Sequence, residues 1–254
     1  CRIASRKKLN EMISLLNEKF PDLIPDPIHA DSSGMVAVSK TLGVERLVSA
    51  YKKGIFPWMK MEEYPNFWCW FSPDPRMVLR PQQLKVSRSL KKAISDKRFE
   101  IRIDCSFRET MQSCARSSRP GQETTWIEPE MIDDYEKLHQ MRIAHSIEAW
   151  QEGKQVGGLY GLAFGKMFFG ESMFHQIPEA SKVCLAHLAN LSQKYGVEMI
   201  DCQAHTPHLE KMGAREIPRI QFCADLSRFL QNKESVIPWQ ELSKSSILAG
   251  SSEN

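Results

Sequence analysis

The sequence predicts an α+β fold built on one mixed sheet, preceded by a smaller N-terminal domain. Residues 145 to 175 form three apolar runs broken only at Gly153-Lys154 and Gly165-Lys166, the short turns of an antiparallel meander. Residues 180 to 195 then change to helical spacing, and "VEMIDCQ" follows as a strand, so a crossover helix brings a further, parallel strand beside the meander. With 254 residues, 42% apolar and 26% charged, the chain can bury one large core or two modest ones.

The elements follow in order. Residues 2 to 20 repeat apolar side chains at helical spacing until the prolines of "PDLIPDP" stop them, so residues 1–33 are read as a helical extension. A small domain, 34–80, opens with "GMVAVSKTLGVERLVSAY", a strand and then a helix ending where Gly54 supplies the C-terminal cap. "GIFPW" and "FWCWFSPDPR" are aromatic and proline-rich and are expected to be irregular, with core packing favoured over ligand stacking for their rings. The main domain, 81–235, starts with a basic helix over 84–99 that Ser87 caps. "EIRIDCSF" alternates as a strand, and "MIDDYEKLHQMR" is helical. After the meander, helix and strand come a short helix closed by Gly213 and a last strand near "IPRIQF". Residues 236–254 are read as a tail, frayed from Gly250.

No stretch approaches the roughly 18 apolar residues of a membrane helix, and no charged start leads into an apolar signal core, so a soluble, cytoplasmic, monomeric protein is expected. The chain opens on Cys1 rather than Met, which leaves a removed leader open. Seven cysteines without a CxxC pair read as reduced thiols rather than a disulfide framework. The net charge of +3 conceals an asymmetry: Arg76 to Arg119 hold twelve Lys or Arg against four Asp or Glu. Such a basic segment suits a polyanion, although clustered solvated charge would look the same.

Three groups of residues carry candidate chemistry. In "FFGESMF" a single carboxylate, Glu171, interrupts an apolar strand and needs a partner or a ligand. Asp201 and Gln203 point to one side of the strand "MIDCQ", at the end where such sheets open for ligands; Asp201 could otherwise cap the next helix. Cys202, His205 and His208 supply only three ligands in no usual zinc pattern, so no metal is expected. Meander, crossover helix and parallel strand together resemble the acetyltransferase-like fold. That fold cradles acyl-CoA in a glycine-rich loop before its crossover helix. Here the loop "GESMFHQIPEASK" has no glycine after Gly170 and contains Pro178, so CoA is not the expected acyl carrier.

Taken in order, "GIFPW", "WFSPDPR", "TTWI", "HSIEAW", "VGGLYGLAFGKMFFGESMF", "ASK" and "MIDCQ" resemble the leucyl/phenylalanyl-tRNA protein transferase family over about residues 34 to 229. The interval between Trp58 and "SPDPR" is longer than the family spacing. The resemblance implies transfer of Leu or Phe, with Met as a lesser donor, from aminoacyl-tRNA to proteins with N-terminal Arg or Lys, which marks them for N-degron degradation, with no cofactor. It implies Asp201 and Gln203 acting on the attacking amine and Glu171 binding a substrate cation. Leu159, Phe168, Met173, Leu185, Leu188 and Ile200 would line the pocket for the donor side chain, and Trp58 and Trp126 would pack about the terminal adenosine. Arg88, Lys91 and Lys92 are expected to meet the tRNA backbone. Two rival classes stay open, a CoA-dependent N-acetyltransferase and a non-catalytic tRNA-binding protein.

Overall fold

The computed structural model describes residues 14–117, 125–231 and 234–250. The chain divides into two units, one holding residues up to Arg76 with Ile217–Arg228, the other Met77–Glu216 with the chain from Phe229 onward. The first contains β1 (Ser14–Leu15), β2 (Met35–Ser39), α1 (Val44–Tyr51), β3 (Phe56–Lys60) and β4 (Trp68–Phe71), in a sheet of order β1-β2-β4-β3.

The helix expected over 2–20 is not found in its described part, where residues 14 and 15 form β1 instead. Ser14 and Leu15 pair in parallel with Ala37 and Val38. Behind them the guanidinium of Arg46, 1% exposed, donates to Glu18 Oε2 at 3.1 Å and to the carbonyl oxygens of Asn17 and Thr41. A ladder and the hydrogen bonds and ion pair of the buried Arg46 to Asn17 and the exposed Glu18 override a helical period that held only weak intrinsic preference. Residues 2 to 13 lie outside the described chain.

The aromatic segments expected to be irregular are strands β3 and β4. Trp68, Cys69 and Trp70 are all buried, so β4 is covered on both faces and shows no alternation to read. The Trp70 indole N–H donates to Ser39 Oγ at 2.8 Å. Pro57 is tolerated because β3 is an edge strand.

The second unit contains β5 (Arg76–Leu79, its first residue in the other unit), α2 (Arg88–Ser95), β6 (Glu100–Ile103), α3 (Phe107–Arg116), α4 (Pro129–Gln140), β7 (Ala144–Gln151), β8 (Lys154–Phe164) and β9 (Met167–His175). It continues with α5 (Ala180–Tyr195), β10 (Met199–Gln203), α6 (Pro207–Lys211) and β11 (Arg215–Ile217). Helix α7 (Arg219–Phe229) returns to the first unit, and α8 (Trp239–Gly250) ends the described chain. The sheet order is β11-β5-β10-β9-β8-β7-β6. Neighbours from β6 through β9 run antiparallel, and β9 and β10 run parallel across the α5 crossover, as the sequence predicts for an acetyltransferase-like sheet.

Three readings change. Helix α3 was not foreseen, because the apolar alternation of "EIRIDCSF" masks its start at Phe107. "IPRIQF" is the beginning of α7 rather than a strand; Pro218 precedes the helix, and β11 ends at Ile217. Residues 239–250, read as part of a tail, form α8. Ile237 and Trp239 belong to the main core, and the Trp239 ring stacks on His145 at 4.3 Å, which is burial enough to hold the segment.

Candidate active site

The parallel ladder between β9 and β10 spans only Met167–Phe169 against Met199–Asp201, while β9 continues to His175. Beyond Asp201 the two strands part. Two irregularities mark that point. In the β8–β9 ladder Tyr160 faces Ser172 and Gly161 faces Gly170, so Glu171 is an extra, bulged residue. A Cβ on Gly161 would lie 2.1 Å from the Phe169 carbonyl oxygen, so glycine there permits the close approach. In the β10–β5 ladder the register shifts between Asp201 and Gln203, and Gln203 takes a left-handed φ of 64°.

The bulges bring the acids and the amide together. Gln203 Nε2 donates to Glu171 Oε1 at 2.6 Å, and the Tyr135 hydroxyl on α4 donates to Glu171 Oε2 at 3.2 Å. The backbone N–H of Gln203 donates to Asp201 Oδ1 at 2.9 Å, and Asp201 is 0% exposed. A continuous chain of hydrogen bonds thus runs Tyr135, Glu171, Gln203, Asp201. The Tyr135 and Gln203 donors to Glu171 are neutral, and the residue is half-buried. Simple alternation along β10 does not describe Gln203, since its bulged backbone sets the direction of the side chain. Asp201 does not cap the next helix; Thr206 does, accepting from Leu209 N at 3.2 Å.

Tyr135 was not singled out from the sequence. In "MIDDYEKLHQMR" it shares the apolar face of α4 with Met131, Ile132 and Leu138, all buried, and so looks like core. Its ring lies edge-on to Tyr160, with centroids 6.1 Å apart.

Leu159, Phe168, Leu185, Leu188 and Ile200 do come together, in one buried apolar cluster against which Met173 packs half-buried. Leu159 faces Met173 and Ile200 faces Phe168 in their ladders. Trp126 is half-buried just before α4. Trp58 belongs to the first unit, on β3, with its ring edge-on to Phe71 at 5.3 Å. Arg88, Lys91 and Lys92 are all exposed on α2, where the Ser87 hydroxyl accepts from Leu90 N as expected of its cap.

The basic segment is less uniform in space than in sequence. Arg76 is fully buried between the rings of Phe56 and Phe222, whereas Arg102 pairs with Glu100 and Arg108 with Asp133 and Glu136. Among the described residues, the exposed basic side chains of the segment are Lys85, those of α2 through Arg98, and Arg116.

Cys202, His205 and His208 form no common ligand set: the Cys202 thiol turns to the Ile200 carbonyl and His205 to Glu210. Asp104, His139 and His145 lie close enough to hold an ion. Their atoms are otherwise engaged. His145 bonds Asp104 Oδ2 at 2.7 Å and the Arg142 carbonyl at 3.1 Å, and His139 Nδ1 meets the Ala144 carbonyl at 2.8 Å. This is a packed polar network under the Trp239 ring.

Fold and cleft define a class first: an acyl-transfer scaffold whose sheet opens beside paired carboxylates and a carboxamide. The family model described as leucyl/phenylalanyl-tRNA protein transferase matches residues 78–227, and that for the family's N-terminal domain matches 41–74. A leucyl/phenylalanyl-tRNA–protein transferase of Nitrosomonas eutropha is 49% identical over 209 residues, 82% of this chain and 88% of its own. One from Myxococcus xanthus is 46% identical, over 90% of this chain and 97% of its own. A GCN5-related N-acetyltransferase-like structure from Streptococcus suis matches at 13% identity with a TM-score of 0.35, covering 71% of this chain and 68% of that one. The chain belongs to the leucyl/phenylalanyl-tRNA protein transferase family.

Proposed function

We propose that this chain transfers Leu or Phe, and Met less well, from the 3′ end of an aminoacyl-tRNA to the α-amine of proteins whose first residue is Arg or Lys, tagging them for N-degron degradation. The observation that carries this reading is the hydrogen-bonded chain Tyr135, Glu171, Gln203, Asp201 where β9 and β10 part. The aminoacyl ester is already activated, so the reaction requires neither cofactor nor metal. On this reading the chain acts as a monomer in the cytoplasm.

The α-amine attacks the ester carbonyl carbon, the carbon–oxygen ester bond breaks, and the tRNA hydroxyl leaves with a proton. Holding amine and ester together supplies most of the acceleration, several kcal/mol in comparable reactions. Glu171 binds the acceptor's cation through charge-assisted hydrogen bonds while Tyr135 and Gln203 keep its two oxygens in place. Two routes serve the proton: Asp201 as base, or the adjacent tRNA 2′-hydroxyl as relay. Full burial of Asp201 and its bond to the Gln203 N–H favour the relay, with Asp201 fixing the direction of Gln203. Leu159, Phe168, Met173, Leu185, Leu188 and Ile200 would receive the donor side chain, with unbranched Met173 adapting to either shape. Trp126 would pack against the adenosine, and Arg88, Lys91 and Lys92 would meet the phosphates.

Transfer of radiolabelled Leu or Phe from charged tRNA to a protein beginning with Arg tests the proposal. Label on that protein, but not on one beginning with Gly, is the expected result. Saturable CoA binding without transfer would favour the acetyltransferase, and tRNA binding without transfer the non-catalytic reading.

A further inference from the structure

A concavity lies among α5, α2, the edge strand β6 and the segment from Pro81 to Val86. Its volume is about 600 Å³, within the roughly 300–1,000 Å³ range of small-molecule sites. Its walls are apolar: Leu84, Phe99, Ile101, Val183 and Ala186. Val86 and Ile94 also line it, and both side chains are exposed. None of the cleft's hydrogen-bonded residues lines it.

The polar groups of the lining fall into two kinds. Gln193 donates to the Pro81 carbonyl at 3.0 Å, and Glu100 is held by both ends of Arg102, so these are engaged. The His187 and Lys97 side chains line the cavity with no hydrogen bond or ion pair among the described residues. Burial alone pushes the His187 imidazole below its ordinary pKa, which leaves it a neutral ring with one N–H to donate. Lys97 is exposed and cationic. His187 and Lys97 offer an N–H donor and a cation, which complement an acceptor or an anion; the exposed carboxamides of Gln82 and Asn190 also line the cavity and can donate as well as accept, and the remaining walls complement an apolar body.

We propose that this cavity binds a small amphiphilic anion: an aromatic or branched aliphatic body seated on Phe99, Ile101 and Ala186, with a carboxylate or sulfonate accepting from His187 and facing Lys97. The site is separate from the transfer cleft, and the inference does not rest on the transferase reading.

The probe is 8-anilinonaphthalene-1-sulfonate, an aromatic body with one anionic group, titrated into the full chain with fluorescence as readout. One saturable site is expected in the wild type. Ala186→Phe should fill the hollow and abolish the signal, and His187→Leu should weaken binding by about tenfold, the loss of one hydrogen bond to a charged group. Glu45→Gln, on helix α1 of the first unit and outside the cavity lining, should leave the affinity unchanged. Absence of saturable binding to the wild type overturns the proposal, as does wild-type affinity in Ala186→Phe. Should Ala186→Phe fail to fold by circular dichroism, His187→Leu with Lys97→Ala decides the matter, and wild-type affinity in that double variant overturns it.

Discussion

Two carboxylates on the same sheet, Glu148 on β7 and Glu171 on β9, have different surroundings, and the difference lies in what donates to them. Glu148 is fully buried. It accepts from the backbone N–H groups of Cys105 and Ser106 at the start of α3, from Ser146 Oγ at 2.8 Å and from the Trp150 indole at 3.2 Å. Those donors leave it no room for a ligand. It ties α3 to the sheet, and burial pushes its carboxyl above the usual range despite the hydrogen bonds. Glu171 is half-buried on a bulge and accepts from the side chains of Tyr135 and Gln203, beside an opening between strands. A structural acid is enclosed by backbone and side-chain donors, whereas the proposed binding acid accepts from side chains and is half-buried on a bulge.

That contrast is broken most sharply by Glu148→Gln. The amide turns an NH₂ toward some of four donors, and unsatisfied buried groups of this kind cost about 1–3 kcal/mol each, so a loss of about 3 kcal/mol is expected in urea unfolding. The pH dependence sharpens it. The folded carboxyl binds its proton more tightly than the unfolded one, so its contribution is fully present below an unfolded pKa of about 4.3 and is lost as pH rises through the higher folded value. Wild-type stability should fall with pH over that window, and the Gln variant should lack that component of the slope.

Glu171→Gln should leave the unfolding midpoint nearly unchanged and raise KM for an acceptor with N-terminal Arg by about 30-fold, corresponding to about 2 kcal/mol for a charged hydrogen bond. A large loss of stability instead would place Glu171 in the same category as Glu148. Asp201→Asn should lower the single-turnover rate at saturating acceptor by about tenfold if Asp201 orients; a fall of about 100-fold or more would make it the base. Tyr135→Phe keeps the ring against Tyr160 and removes one donor, so a roughly fivefold rise in KM with kcat preserved is expected, about 1 kcal/mol. An unchanged KM would return Tyr135 to the core. The mildest change is Lys91→Ala with Lys92→Ala, where the slope of log affinity for tRNA against log salt should flatten by about one unit per phosphate contact. Equal slopes would move the tRNA path off α2.

Much of this was legible in the residues. The meander, the crossover helix and the parallel strand follow from turn glycines and changes of period, local signals that survive in any context. Glu171, Asp201 and Gln203 stood out because polar groups in apolar strands carry a desolvation cost that demands an explanation. The same test applied to "HSIEAW" flags Glu148 as well, and the sequence has no means of telling an acid enclosed by backbone amides from one facing a cleft.

Tertiary structure decided the rest, for reasons of direction and distance. Strand β4 carries no alternation because both its faces are covered. A buried Arg46 holds residues 14–18 against a helical pattern. Tyr135 looks like core until the bulge at Glu171 brings a carboxylate to its hydroxyl, and that bulge depends on Gly161 lying where a Cβ would meet the Phe169 carbonyl at 2.1 Å. Residue type and period are properties of the chain, so the sequence determined the elements and the chemical groups available. Register shifts and long-range hydrogen bonds exist only once strands meet, so the structure alone determined which groups face one another.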